Sequence, residues 1–254
     1  MGIVATIGAK GPAMAHRTGL SIRIADKRFS ESPKPVFREF SLDVAPGTML
    51  AILGPSGVGK STLLRLVAGI DSVFTGSVTI DGFNAEAAPP PGFVFQDPRL
   101  LPWLTATDNI RIGRPDLSRG QALQTLWQVG LADEADVFPR QLSGGMQRRV
   151  ALARAIATNG RWLLLDEPFV SLDQALASEM QLLLARVIAD SGAGVILVTH
   201  QPEEAARLAD RAIVLGGRPA SLKGDMVLDA PRAHRDPLLI SQYRAALEGI
   251  AASS

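Results

Sequence analysis

The sequence of 254 residues predicts an α/β fold: a mainly parallel sheet with covered faces, an N-terminal antiparallel β-subdomain and an inserted α-helical subdomain. Three observations carry this. From Trp162 onward, short apolar strands alternate with helical patterns, as in parallel sheets flanked by helices. Residues 20–53 hold strand patterns in close succession with no helix between them. Residues 99–160 read as mostly helical.

In chain order, LSIRI, FREFSLDV and TMLAIL are short strand runs within residues 20–53, with a proline-rich turn at SESPKP. STLLRLVAGI is a helix ending near Gly69, GSVTIDG a strand and turn, and AEAAPPPG a proline-rich break. Two helices follow, SRGQALQTLWQVGL and SGGMQRRVALARAIAT. The alternation then runs WLLLDEP, a helix from Ser178 to Asp190, GVILVTH, a helix over PEEAARLA, and RAIVL. GGRPASLKGDM is a sheet-edge strand and turn to which no chemistry is assigned, and HRDPLLISQYRAALEGI is one terminal helix.

Composition narrows the function classes. With 26 basic against 25 acidic residues the net charge is +1, which argues against a strong nucleic-acid or anionic-membrane field. There is no cysteine, so disulfides and thiolate metal sites are excluded. No apolar run approaches the roughly 18–20 residues that span a bilayer. The first 19 residues lack a cationic start and a long apolar core, so they are expected to be an extension rather than a signal peptide. A membrane role must then come through a partner.

GPSGVGKST, residues Gly54, Pro55, Ser56, Gly57, Val58, Gly59, Lys60, Ser61 and Thr62, sits between a predicted strand and a predicted helix. That is the context of the phosphate loop of a P-loop NTPase core. Glycines let successive backbone N–H groups turn inward, where they and the helix N-terminus cradle phosphate oxygens. Lys60 should reach the β- and γ-phosphates, Ser61 should ligate Mg²⁺, and Thr62 is placed toward the α-phosphate. Alone, this motif says nucleoside triphosphate and no more.

WLLLDEP ends an apolar strand on two carboxylates. Asp166 suits a metal role through water, and Glu167 suits a general base for an attacking water; a strand end with solvated acids is the plainer alternative. LSGGMQRR opens a helix with Ser143 as a natural N-cap, and Gly144 and Gly145 leave backbone N–H groups uncovered. Two anion-binding helix termini in one chain imply either two ligands or one ligand held between two chains.

A phosphate loop, a glutamine after a strand (FVFQD, Gln96), LSGGMQRR, LLLDEP, SLD at 171–173 and a histidine after a strand (VTH, His200) occur in that order. Together they resemble the nucleotide-binding subunit of an ATP-binding cassette (ABC) transporter, over about residues 20–235. The resemblance implies a core of residues 20–95 and 161–235 with its β-subdomain, a helical signature subdomain over 96–160, and a terminal helix and tail over 236–254. It also implies a head-to-tail homodimer in the ATP-bound state. Ser143, Gly144 and Gly145 would meet the γ-phosphate held by the partner chain. Gln96 would sense Mg²⁺ and the lytic water, Asp173 would sit at the dimer seam, and His200 would contact the γ-phosphate. An aromatic upstream of the loop would stack on adenine: Phe29, with Phe37 as the competitor.

ATP and Mg²⁺ follow as ligands, and ATP hydrolysis coupled to transport as the activity. The apolar, proline-broken LLPWL lies within residues 95–109, either as a small core under the helical segment or as a groove for a membrane permease. LLPW followed by LT and DN resembles the branch importing nitrate, sulfonates and taurine; importers of thiamine or its pyrimidine precursor share much of it. The expected setting is peripheral attachment at the cytoplasmic face of the cell (inner) membrane, with a periplasmic or extracellular solute-binding protein acting indirectly and no nucleic acid. A soluble ABC ATPase of DNA repair or translation is the competing class. It usually carries coiled coils, zinc modules or two cassettes, and none is here. A small-molecule kinase would leave LSGGM without a role.

Overall fold

The computed structural model describes residues 19–31, 34–170 and 172–252. In chain order these form β1 (Leu20–Lys27), β2 (Phe37–Val44), β3 (Met49–Leu53), α1 (Lys60–Val67), β4 (Thr75–Ile80), β5 (Phe83–Asn84), β6 (Gly92–Val94), α2 (Ala106–Ile112), α3 (Arg119–Gln128), α4 (Gly144–Ala157), β7 (Trp162–Asp166), α5 (Gln174–Ser191), β8 (Gly194–Val198), α6 (Pro202–Leu208), β9 (Arg211–Gly216), β10 (Ser221–Val227) and α7 (Pro237–Ala252). The chain divides into two units, Met1–Ala88 with Leu197–Ser254, and Pro89–Ile196. It passes from the second to the first within β8.

In the first unit, β1 runs antiparallel to both β2 and β4, in the order β2-β1-β4-β5. Its alternation decides which face is covered. Ile22 lies opposite Leu42 on one side and Val78 on the other, and all three are buried. The intervening Arg23 points outward and pairs with Asp43 at 2.7 Å. A second run of strands in this unit has the order β10-β9-β3-β8. All five residues of β3 are buried, as a strand covered on both faces requires. It pairs parallel with β9, Ile52 opposite Ile213, and β10 closes the edge antiparallel. Side chains of α6 and α7, among them Ala205, Tyr243 and Leu247, pack against Ala51, Leu53 and Val214 of this sheet.

In the second unit the order is β8-β7-β6, with β6 parallel to β7 and Val94 opposite Leu165. Helices α2, α3 and α4 close around Ile110, Leu126 and Val150, which form a core of their own. Ser118 caps α3 in a reciprocal box with Gln121, which is why that helix starts at Arg119.

The structure departs from the sequence reading in three places. Helix α5 starts at Gln174, four residues before Ser178, because the Asp173 carboxylate accepts the Leu176 N–H at 2.9 Å and caps it there. Residues 99–105 are irregular inside a region that reads as mostly helical. The two-residue strand β5 carried no signal of its own. Among the described residues no helix is long and apolar enough to cross a membrane.

Candidate functional site

Most of the predicted site residues follow the ends of strands, while Ser143, Gly144, Gly145 and Asp173 stand at helix N-termini. In the first unit, β3 runs into the glycine loop, and α1 starts at Lys60 with Gly59 as a left-handed N-cap. Gly54 has φ 149° and lies so close to β9 that a Cβ there would be 2.5 Å from the Leu215 carbonyl oxygen. The loop can turn off the sheet at that point only without a side chain. Lys60 is buried, and its ammonium donates to the carbonyl oxygens of Gly54 at 2.8 Å and Pro55 at 3.2 Å. These bonds hold the cation against the loop's own backbone, at the N-terminus of a helix whose first N–H groups lack intrahelical acceptors. We expect Gly54→Ala to cost about 3 kcal/mol of stability from overlap and strained backbone. Chemical denaturation of wild type and variant reads that loss directly.

Phe37 and Phe29 separate clearly. Phe37 is fully buried, with its ring 3.0 Å from where a Cβ on Gly59 would stand. It is a wall beneath the loop. Phe29 is 44% exposed, just past the end of β1, with the buried Lys27 ammonium 5.0 Å from its ring centroid.

His200 follows β8 and is exposed. The Thr199 N–H donates to the Ile52 carbonyl of β3 at 3.2 Å, so this turn leaves the sheet beside the strand that feeds the glycine loop. Thr199 and Glu204 are buried and joined hydroxyl to carboxylate, and the Gln201 N–H donates to the same hydroxyl at 3.0 Å. Those bonds fix the turn on either side of His200.

In the second unit, the parallel register of Val94 with Leu165 brings Gln96 and Glu167 out of neighbouring strands, two residues past matched positions. Asp166 is buried, the last residue of β7. Glu167 has φ 47°, left-handed geometry that a non-glycine residue adopts at a cost. Its carbonyl accepts the Val170 N–H at 3.3 Å, so the chain turns sharply just after the strand.

Helix α4 is capped by the Ser143 hydroxyl, which accepts the Met146 N–H at 3.2 Å. Gly144 has open space beside it, so its backbone stays uncovered. Gly145 has a different reason to be glycine: a Cβ would fall 2.4 Å from Leu176 Cδ2 of α5. Of the SLD segment, Ser171 lies outside the described residues, and Asp173 serves as the α5 cap.

Three side chains that the sequence left without roles fasten the segment after β6, two of them from α4 and one from α2. Arg148 donates to the Gln96 carbonyl at 2.9 Å. Arg154 donates to the Pro98 and Arg99 carbonyls at 2.8 and 2.9 Å. Asn109 is fully buried: it accepts the Leu101 N–H at 2.7 Å and donates to the carbonyls of Leu101, Leu104 and Thr105 at 3.0–3.1 Å. An asparagine directly before the apolar Ile110 was the one available hint. Within LLPWL, Leu100 packs on the helical core while Trp103 is 68% exposed.

The family described as ABC transporter matches residues 37–170. Among curated proteins, the aliphatic sulfonates import ATP-binding protein SsuB 1 of Xanthomonas axonopodis pv. citri is 44% identical over 223 residues, 85% of this chain and 88% of that one. The SsuB protein of Cupriavidus necator is 43% identical over 228 residues, 88% of this chain and 75% of that one. Among solved structures, an ATP-binding cassette captured as a dimer in a post-hydrolysis state with ADP and Pi superposes with a TM-score of 0.74 at 30% identity, over 84% of this chain and all of that one.

Proposed function

This chain belongs to the ABC transporter family, and from that premise we propose that it is the ATP-hydrolysing subunit of an importer for small sulfonate-type anions. The observation that carries the reading is the pairing, in one chain, of a glycine loop opening α1 with a serine-capped, glycine-headed α4. Each terminus presents N–H groups that lack intrahelical acceptors, the arrangement that receives an anion. The sulfonate specificity rests on the relatives named above. Reconstituting the chain in liposomes with its membrane subunits and solute-binding protein tests it. Alkanesulfonate-loaded binding protein should stimulate ATP hydrolysis, and stimulation by a thiamine precursor instead would contradict it.

In this reading Gly54 to Thr62 hold the polyphosphate, with Lys60 turning from the Gly54 and Pro55 carbonyls toward the β- and γ-phosphates. Phe29 stacks on the base, its exposure supporting that choice over the buried Phe37. The oxygen donors of Ser61, Gln96 and, through water, Asp166 suit Mg²⁺. Among the described residues no cluster of three or more acidic or imidazole ligands exists, as fits a cation that relies on substrate phosphates for most of its shell. When bound, Mg²⁺ would offset phosphate charge. Glu167 takes a proton from the attacking water and aligns it, His200 steadies the γ-phosphate, and the γ-phosphorus–oxygen bond to ADP breaks as phosphate forms.

Ser143, Gly144 and Gly145 meet the γ-phosphate held by a second copy, so that ATP bridges the pair and ADP does not, with Asp173 near the seam. Residues 95–109 receive the permease at the cytoplasmic membrane face. Their fastening supports this, since Arg148 and Arg154 make the Gln96–Arg99 backbone move with α4. Asn109→Ala would leave the Leu104 carbonyl and the Leu101 N–H without their side-chain partner, at a cost of about 3 kcal/mol. We expect it to depress transport far more than ATP hydrolysis by the isolated chain, and parallel assays of both read the split.

A further inference from the structure

We infer that Arg218, in the turn between β9 and β10, is a second cation of the nucleotide site and contacts the polyphosphate of bound ATP. This rests on the nucleotide reading of the glycine loop. Arg218 Nη2 lies 3.3 Å from where a Cβ on Gly57 would stand, so the guanidinium rests against the middle of the loop. The residue is exposed, and among the described residues no carboxylate or carbonyl engages it. An arginine that packs against a phosphate loop without an acidic partner leaves five donors for an anion arriving there.

The turn that carries it is firmly seated. The Ala220 N–H donates to the Val36 carbonyl at 2.7 Å, and Ala220 bridges Phe37, whose ring supports Gly59 from below. On the other side, the Leu215 carbonyl abuts Gly54. The backbone flanking Arg218 is therefore built against the start and the end of the same loop. Lys60 is a buried point charge in that loop. Arg218 reaches it from the rim with a planar fork suited to two phosphate oxygens.

The test uses the full chain with Mg²⁺ and a fluorescent N-methylanthraniloyl derivative of ATP. Arg218→Gln should weaken binding about tenfold, as expected for loss of a charge-assisted pair, and raise KM for ATP with kcat within about threefold. Arg218→Lys should recover part of the affinity. The unfolding midpoint without nucleotide should stay at the wild-type value in both. Binding by Arg218→Gln within twofold of wild type overturns the inference, including the case in which only ATP-driven dimerisation falls, which would assign the cation to the partner copy. A loss of affinity matched by a lower nucleotide-free midpoint also overturns it, because the side chain would then be holding the turn. A wild-type chain that binds no ATP overturns the nucleotide reading and this inference with it.

Discussion

Glu167→Gln will hydrolyse ATP at least about a thousandfold more slowly than wild type while binding it as well or better. The substitution keeps size and shape, so the left-handed backbone at φ 47° is no more costly than before. What disappears is the proton acceptor for the attacking water. Gln96, leaving the neighbouring strand at the matched position, cannot replace it, since an amide takes no proton near neutral pH. Single-turnover hydrolysis of radiolabelled ATP separates the chemical step from binding. Turnover within tenfold of wild type would remove Glu167 from the role of base.

Lys60→Ala comes next in size. Wild-type Lys60 is buried with two carbonyl partners, so its ammonium is held at the loop before any phosphate arrives. Removing it deletes charge-assisted contacts worth about 1.5–3 kcal/mol each. Two such contacts correspond to roughly a hundredfold to ten-thousandfold in ATP affinity. Lys60→Arg should not restore it, because the guanidinium fork is wider than the ammonium and the enclosing backbone is close. Equilibrium binding of ATP to both variants decides this. Near-normal affinity in Lys60→Ala would mean that the backbone N–H groups alone hold the phosphates.

Much of this was legible in the sequence because it is written in strand–loop–helix order. MLAIL before the glycines and WLLLD before the acids announce buried strands, and both are buried at every position. Ser143 ahead of two glycines announces a capped helix, and the cap is there. Other features needed three dimensions. Nothing local marks Glu167 as left-handed, because only glycine advertises that geometry. Asp173 was read only for the dimer seam, and reading it also as an N-cap would have placed the start of α5 correctly. Asn109 entered only as part of the DN that follows LLPW, yet it organises Leu101 to Thr105 through bonds to backbone groups. Partners of that kind leave no pattern in side-chain spacing. Arg218 stands more than 150 positions from Gly57, and only the pairing of β9 with β3 brings the two together.

In the proposed function, the γ-phosphate joins two copies of the chain. Light scattering on Glu167→Gln with saturating Mg-ATP, alone and with the reconstituted membrane subunits, tests this directly. The isolated variant should have the mass of two chains with ATP and of one with ADP. A single-chain mass with ATP, together with no ATP-dependent closure beside the membrane subunits, would contradict it.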